Sequence, residues 1–431
     1  MYFRQLMAAM MPQGKGMQIG LDRNNRIFVF LFALMPGFLA SGASFLLVAS
    51  FSWAILSLAM GRFRADFTKA DRLVAMCMSA YAVVMTLGVL INPDPADGLK
   101  WIVRVLPFVS IWFVLPRLRQ SQDGSLIPLF IVGAGIGMIG AFFLSIVQVL
   151  FFTPRAEGGA GNAAVFGLFA VLFGSIALLN LQSSSRVERT IAIAGFIAGL
   201  ACAFLSGTRS AWLVMPVHLV ILLWYFRNRK LDFNLRTVAI AGAVFLSLVI
   251  GVVVPQISKR VEAIEKDLAL LEKDPEVLSS LSARVALYKG AIAAIAKDPL
   301  TGYGPQNRMD SVRAEVPGEI RDKLAYSHPH NGFLTAAVDA GIFGALALAL
   351  MLFAPILAAW KKTPGPGRDL SIAFSLLLVS SYLITGMFGI MFGHDATDAI
   401  FAFTVAMICA ERGTTALASL PELATKNRVI A

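Results

Sequence analysis

Apolar stretches long enough to cross a lipid bilayer recur along almost the whole chain, and no other feature restricts its fold as severely. About 20 apolar residues in a helix cross the hydrocarbon core. Such segments read at about 27–42, 43–60, 73–91, 101–116, 126–152, 163–181, 190–206, 211–226, 237–254, 332–359, 370–390 and 398–411. Residues 27–60 are broken only by Pro36-Gly37 and Ser41-Gly42, which suits a tight helical hairpin. Composition agrees, with 57% hydrophobic and 15% charged residues and a mean hydropathy of +0.73. A soluble domain carries about 25% charged residues, so one or two water-soluble domains are excluded, and so is a disordered chain. The expected class is all-α: a polytopic integral membrane helical bundle of about 12 transmembrane helices.

A formal net charge of +11 invites a nucleic-acid reading, but the positions of the charges argue for topology instead. Arg4, Lys15, Arg23 and Arg26 hold the N-terminus inside, and the first residues lack the features of a cleavable signal peptide. With that orientation the inner segments carry 22 Lys and Arg, against four (Lys100, Arg104, Arg155 and Arg209) in the outer short loops and span ends. The asymmetry follows the positive-inside rule. It explains the charge without nucleic acid and places both termini in the cytoplasm of a cell with an inner membrane.

The other 11 basic residues lie between about Pro255 and Asn331, balanced there by 11 acidic ones. This outward segment is too long for a passive connector. Ile257, Val261, Ile264, Leu268 and Leu271 recur with helical spacing. A second helix is expected from about Ser279 to Lys297, with Val285, Tyr288, Ile292 and Ile295 on its apolar face. Asp298-Pro299 ends it, and the breaker-rich turn Thr301-Gly302-Tyr303-Gly304-Pro305 follows. The organisation is thus a cytoplasmic segment 1–26, transmembrane helices 1–9 over 27–254, a large helical periplasmic loop 255–331, helices 10–12 over 332–411, and a cytoplasmic tail 412–431.

Few residues are left for chemistry. Cys77, Cys202 and Cys409 lie inside apolar runs and read as small buried hydrophobes. Of the four histidines, His218 falls in mid-span, where bonding within the bundle is the expected role. His328 and His330, in Ser327-His328-Pro329-His330-Asn331, instead stand where the outer loop re-enters the membrane. A histidine at that boundary can act as a general base near neutrality. No acidic cluster or cysteine accompanies the pair, so no metal site is expected. Arg209, in the hairpin Ser206-Gly207-Thr208-Arg209-Ser210, breaks the charge rule. It either snorkels to the headgroups or offers a fork of donors to phosphate oxygens. Arg284 lies in the second loop helix, beside its apolar face.

These pieces resemble the O-antigen ligase and polymerase superfamily, polytopic glycosyltransferases of the bacterial inner membrane. Ligases of that family share a His, then Asn, Ser or Gln, nine residues, Gly, two residues and Gly. The chain reads His330-Asn331, nine residues from Gly332 to Ala340, then Gly341-Ile342-Phe343-Gly344. The Gly-Thr-Arg-Ser hairpin at 207–210, the Ser-Ala-Arg-Val-Ala-Leu-Tyr stretch at 282–288 and the turn at 298–305 are also similar to family hallmarks. The resemblance covers about 160–390.

It implies an O-antigen ligase that transfers a glycan from undecaprenyl diphosphate to lipid A–core at the periplasmic face. Arg209 and Arg284 would bind the diphosphate and His330 would take the acceptor's proton, with His328, Tyr303 and Asn331 as positioning candidates. Two arginines could compensate the leaving group without a metal, so no cofactor is expected; the implied partners are the lipid-linked donor, lipid A–core and membrane lipids. Ala345, where some ligases have Thr or Tyr, leaves open an O-antigen or exopolysaccharide polymerase of the same superfamily. A secondary transporter should carry internal repeats and mid-membrane ionisable residues, and neither stands out.

Overall fold

The computed structural model describes residues 17–121, 126–229, 280–389 and 391–411, all helices, turns and loops with no strand among them. In order they are α1 (Met17–Leu34), α2 (Ala40–Ala59), α3 (Lys69–Ile91), α4 (Pro95–Val109), α5 (Ile111–Leu118), α6 (Leu126–Phe151), α7 (Ala163–Leu178), α8 (Arg186–Leu205) and α9 (Arg209–Phe226). Then come α10 (Ser280–Lys297), α11 (Gly304–Ala314), α12 (Gly318–Arg321), α13 (Gly332–Trp360), α14 (Pro366–Met387) and α15 (Asp395–Ala410). Among the described residues nine helices are long and apolar enough to cross a membrane, α4 and α5 counting as one. The chain is therefore a multi-pass helical membrane protein. The expected ninth span, 237–254, and the expected loop helix around 257–271 lie outside the described residues.

Burial sorts the helices. α7 and α15 are enclosed along nearly their whole length, so α15 needs only 16 residues and no lipid-facing side. By contrast α2, α3 and α9 turn Phe45, Val48, Met76, Val83, Leu219 and Leu223 outward, as helices facing hydrocarbon do. α6 and α8 meet where Gly195 lies against the Gly135 backbone, the close crossing that small residues allow in membranes.

Two helix limits differ from the hydropathy pattern for identifiable reasons. α1 begins at Met17, about ten residues before its apolar run, because Asn25 is buried and satisfied: its amide donates to the Arg117 carbonyl at 2.7 Å and to Ser121 Oγ at 3.0 Å. α4 ends just beyond Pro107 and the chain resumes as α5, so that the expected 101–116 span is two helices in one line of chain.

Helices α10 to α12 form an outer layer over one end of the bundle, with a small core of their own. Ala283, Leu287, Ala291, Val312, Val316 and Leu324 close on Val338 of α13. This corrects half of the expected apolar face of α10: Tyr288 and Ile295 pack against this core, but Val285 and Ile292 are 45% and 58% exposed, while Ala283, Leu287, Ala291 and Ala294 are buried. Small residues win because α11 lies so close that Gly290 faces the Val312 carbonyl.

The layer is fastened to the bundle through a break in α13. Ala340 (φ −144°, ψ 30°) and Gly341 (φ 62°, ψ −160°) leave helical geometry. The freed groups are satisfied by the turn after α10: Tyr303 N donates to the Val338 carbonyl and Ile342 N to the Pro299 carbonyl, both at 2.8 Å. Gly341 sits so near the Leu300 carbonyl that a Cβ there would approach within 2.2 Å. Its positive φ and that contact both demand glycine.

Candidate functional site

The site lies where this layer meets the start of α13. Asn331 caps that helix, its side-chain oxygen accepting from Phe333 N at 3.0 Å and Leu334 N at 3.1 Å, which satisfies two of the helix's otherwise unpaired donors. The residue before it, His330, has φ +59°. A left-handed conformation in a residue with a Cβ costs roughly 1–2 kcal/mol, so its surroundings must hold it. The His330 ring stands edge-on to Tyr326, with centroids 5.1 Å apart, and 4.4 Å from the His328 ring.

Arg284 and Tyr288, one turn apart on α10, complete the cluster. The Tyr288 hydroxyl faces two carbonyls, those of His330 and of Met387, each at 3.1 Å. Met387 ends α14 and its carbonyl also receives the Asn331 amide at 3.4 Å. Arg284 is exposed and its charge reaches both His330 and Tyr288. Burial, and then the Arg284 guanidinium, hold the His330 imidazole below the usual histidine range. Burial, the neighbouring His330 and Arg308 push His328 down to about 3. Both rings are therefore neutral at physiological pH, and a neutral ring nitrogen can accept a proton.

Arg209 is the exposed first residue of α9. Its hairpin is braced by Arg155, whose Nε donates to the Ser206 carbonyl at 2.7 Å, and by Thr208, whose hydroxyl donates to the Ala163 carbonyl at 2.8 Å. α9 runs antiparallel to α14: Arg229 lies 3.6 Å from Asp369, and His218 Nε2 lies 3.1 Å from both the Leu377 carbonyl and Ser381 Oγ. Arg209 is nine residues before His218, about 14 Å along the axis at 1.5 Å per residue. That is level with the last turn of α14, where Met387 bonds Tyr288 and Asn331. Arg209 thus occupies the same end of the bundle as Arg284 and His330.

The remaining sequence candidates hold positions further from the ring. Tyr303 donates to the Ala294 carbonyl at 3.1 Å and fastens α10 to the turn beneath it. His218 is buried and bonded on both nitrogens, Ser175 Oγ lying 2.7 Å from the other one.

Sequence reasoning missed the buried pair Arg308–Asp339, which joins α11 to α13 through Nε–Oδ1 at 2.6 Å and a second contact between the forks. The available signal was an aspartate inside an apolar span, which is rarely there without a partner. The pair borders a cavity with Trp101, Arg104, Thr335 and Asp398 of about 40 Å³. At roughly 10–15 Å³ per water that space holds two to four waters and no sugar ring. The cluster around His330 is therefore the candidate site.

Fold and site together define a membrane protein with a histidine–arginine centre at one end of a helical bundle. A family model described as O-antigen ligase matches residues 194–349, a stretch that includes Arg209, Arg284, Tyr288, Tyr303, His330 and both motif glycines. The match bears out the resemblance read from the sequence: residues 194–349 are similar to the O-antigen ligase family. The chain is also 24% identical over 303 residues to a Haemophilus influenzae protein described as uncharacterized, covering 68% of this chain and 73% of that one.

Proposed function

We propose that the chain is an O-antigen ligase. It takes a glycan from undecaprenyl diphosphate and joins it to lipid A–core at the periplasmic face of the inner membrane, with both termini cytoplasmic. The observation that best supports this is His330, held in a left-handed backbone conformation where α10 meets the start of α13, with the exposed Arg284 near it on α10.

In this reading the acceptor hydroxyl oxygen attacks the anomeric carbon as its proton passes to a ring nitrogen of His330. The bond from that carbon to the diphosphate oxygen breaks, and undecaprenyl diphosphate leaves with the electron pair. Attack opposite the leaving group inverts the anomeric carbon. The developing charge falls on Arg209 and Arg284, whose planar forks match phosphate oxygens. Fixed cations of this kind do the work that a metal ion does elsewhere. The bound diphosphate also offsets the Arg284 charge felt by His330, so the base becomes stronger when the donor is in place.

The test is transfer by the purified chain in lipid nanodiscs, supplied with an undecaprenyl-diphosphate-linked glycan with and without lipid A–core. Glycan on lipid A–core, with one undecaprenyl diphosphate released per transfer, is the expected result. Lengthened lipid-linked glycan formed without lipid A–core would make the chain a polymerase of the same superfamily. The absence of both products would overturn the glycosyltransferase reading.

A further inference from the structure

His330 cannot hold its own conformation. Its φ of +59° lies where residues with a Cβ are uncommon, and Pro329 before it has no N–H with which to bond the turn. What holds the backbone comes from two other helices. The Tyr288 hydroxyl of α10 bonds the His330 carbonyl at 3.1 Å and, with the same proton, faces the Met387 carbonyl of α14 at 3.1 Å. Asn331 reaches that Met387 carbonyl as well, at 3.4 Å. The last carbonyls of a helix have no partner within it, so the end of α14 is a fixed acceptor to which both residues are tied. The result is a clamp from α10 through His330 to α14.

Residues four apart share a helix face, so Arg284 and Tyr288 arrive together. One helix then delivers the cation placed for the donor and the hydroxyl that fixes the backbone of the base. We propose that Tyr288 is a positioning residue: it sets the left-handed turn at His330 and so aims the imidazole at the acceptor hydroxyl whenever α10 is seated. This rests on the reading of His330 as general base. Tyr288 makes no contact with the reacting atoms and carries no proton in the reaction.

The experiment is steady-state transfer from undecaprenyl-diphosphate-linked glycan to lipid A–core by the full chain and by Tyr288→Phe, His330→Ala and the double variant, at matched abundance. Tyr288→Phe keeps the ring and loses the hydroxyl. It should lower kcat about tenfold, the factor set by one hydrogen bond of ordinary strength. Its donor KM should stay within about twofold, because uniform binding is untouched. In the His330→Ala background the same change should cost less than about twofold, since no ring is left to aim.

Wild-type kcat in Tyr288→Phe, or a loss confined to donor KM, overturns the proposal while an inactive His330→Ala leaves the general base standing. A full tenfold further loss in the double variant overturns it too, since Tyr288 would then act apart from His330. Wild-type transfer by His330→Ala removes the base, and this role of Tyr288 with it.

Discussion

Arg117 and Arg119 at one end of the bundle differ in burial from Arg209 and Arg284 at the other. At the end away from α10–α12, Arg117 and Arg119 are 1% and 7% exposed. Arg117 donates to Asn25 Oδ1 at 3.1 Å and to the Trp53 carbonyl at 2.8 Å. Arg119 lies 2.7 Å from Asp71 and donates to the Cys409 carbonyl at 2.8 Å. These guanidiniums bind helices to one another. At the other end Arg209 and Arg284 are exposed at the start of one helix and on the surface of another, and Arg284 acts on the ring of His330. Charge alone therefore does not mark a functional arginine in a membrane protein. Burial separates them: the enclosed Arg117 and Arg119 are committed to protein carbonyls and side chains, as Arg308 is to Asp339, while Arg284 is exposed near His330.

The sharpest way to break this contrast is to truncate an arginine at the enclosed end. Removing one partner of a buried pair costs roughly 3–5 kcal/mol, a large part of the roughly 5–15 kcal/mol that holds a domain together. Arg119→Ala should therefore lose most of its folded protein, read as the monodisperse fraction after detergent extraction. His330→Ala should do the reverse. Its abundance should stay that of the parent while transfer falls roughly 10²–10⁴-fold, the usual contribution of a general base. His218→Ala removes bonds within the core and should change yield more than transfer per folded molecule.

A smaller effect sharpens the comparison through pH. Burial, and then the Arg284 charge, disfavour the protonated His330 ring, so the acid limb of kcat/KM should lie below the ordinary histidine value of about 6.5. Arg284→Gln removes that charge and should move the limb to higher pH. Donor diphosphate offsets the same charge in the complex, so in the parent the limb of kcat should lie above that of kcat/KM. An unmoved limb in Arg284→Gln would separate the two residues. The smallest effect is expected from chelation: transfer should be unchanged in EDTA, and loss with rescue by Mg²⁺ or Mn²⁺ would contradict a metal-free reaction.

Much of the bundle was legible because apolar length is a strong signal, and the residues brought together at His330 came from one short motif and one loop helix. The glycines of that motif were read as family spacing. Gly341 takes its meaning from a broken helix that receives the Pro299–Tyr303 turn, a contact between segments about 40 positions apart. Hydropathy misjudged the face of α10, because alanine and glycine carry little weight in an apolar pattern yet allow the closest packing. It also began α1 too late, because a buried polar residue such as Asn25 looks solvent-facing until Arg117 and Ser121 are known to meet it. The Arg308–Asp339 pair stayed hidden for the same reason. Pairing across the fold is what a single chain of letters does not display.

The account rests on two arginines, 75 positions apart in sequence, acting on one diphosphate. Lysine keeps the charge and snorkels equally well, but it lacks the bidentate fork. The direct measurement is the transfer rate and the undecaprenyl diphosphate affinity of Arg209→Lys and Arg284→Lys at matched abundance. Both variants should lose rate and affinity strongly. Wild-type values in both would reduce these residues to membrane anchors and contradict the assignment of this end of the bundle as the donor site.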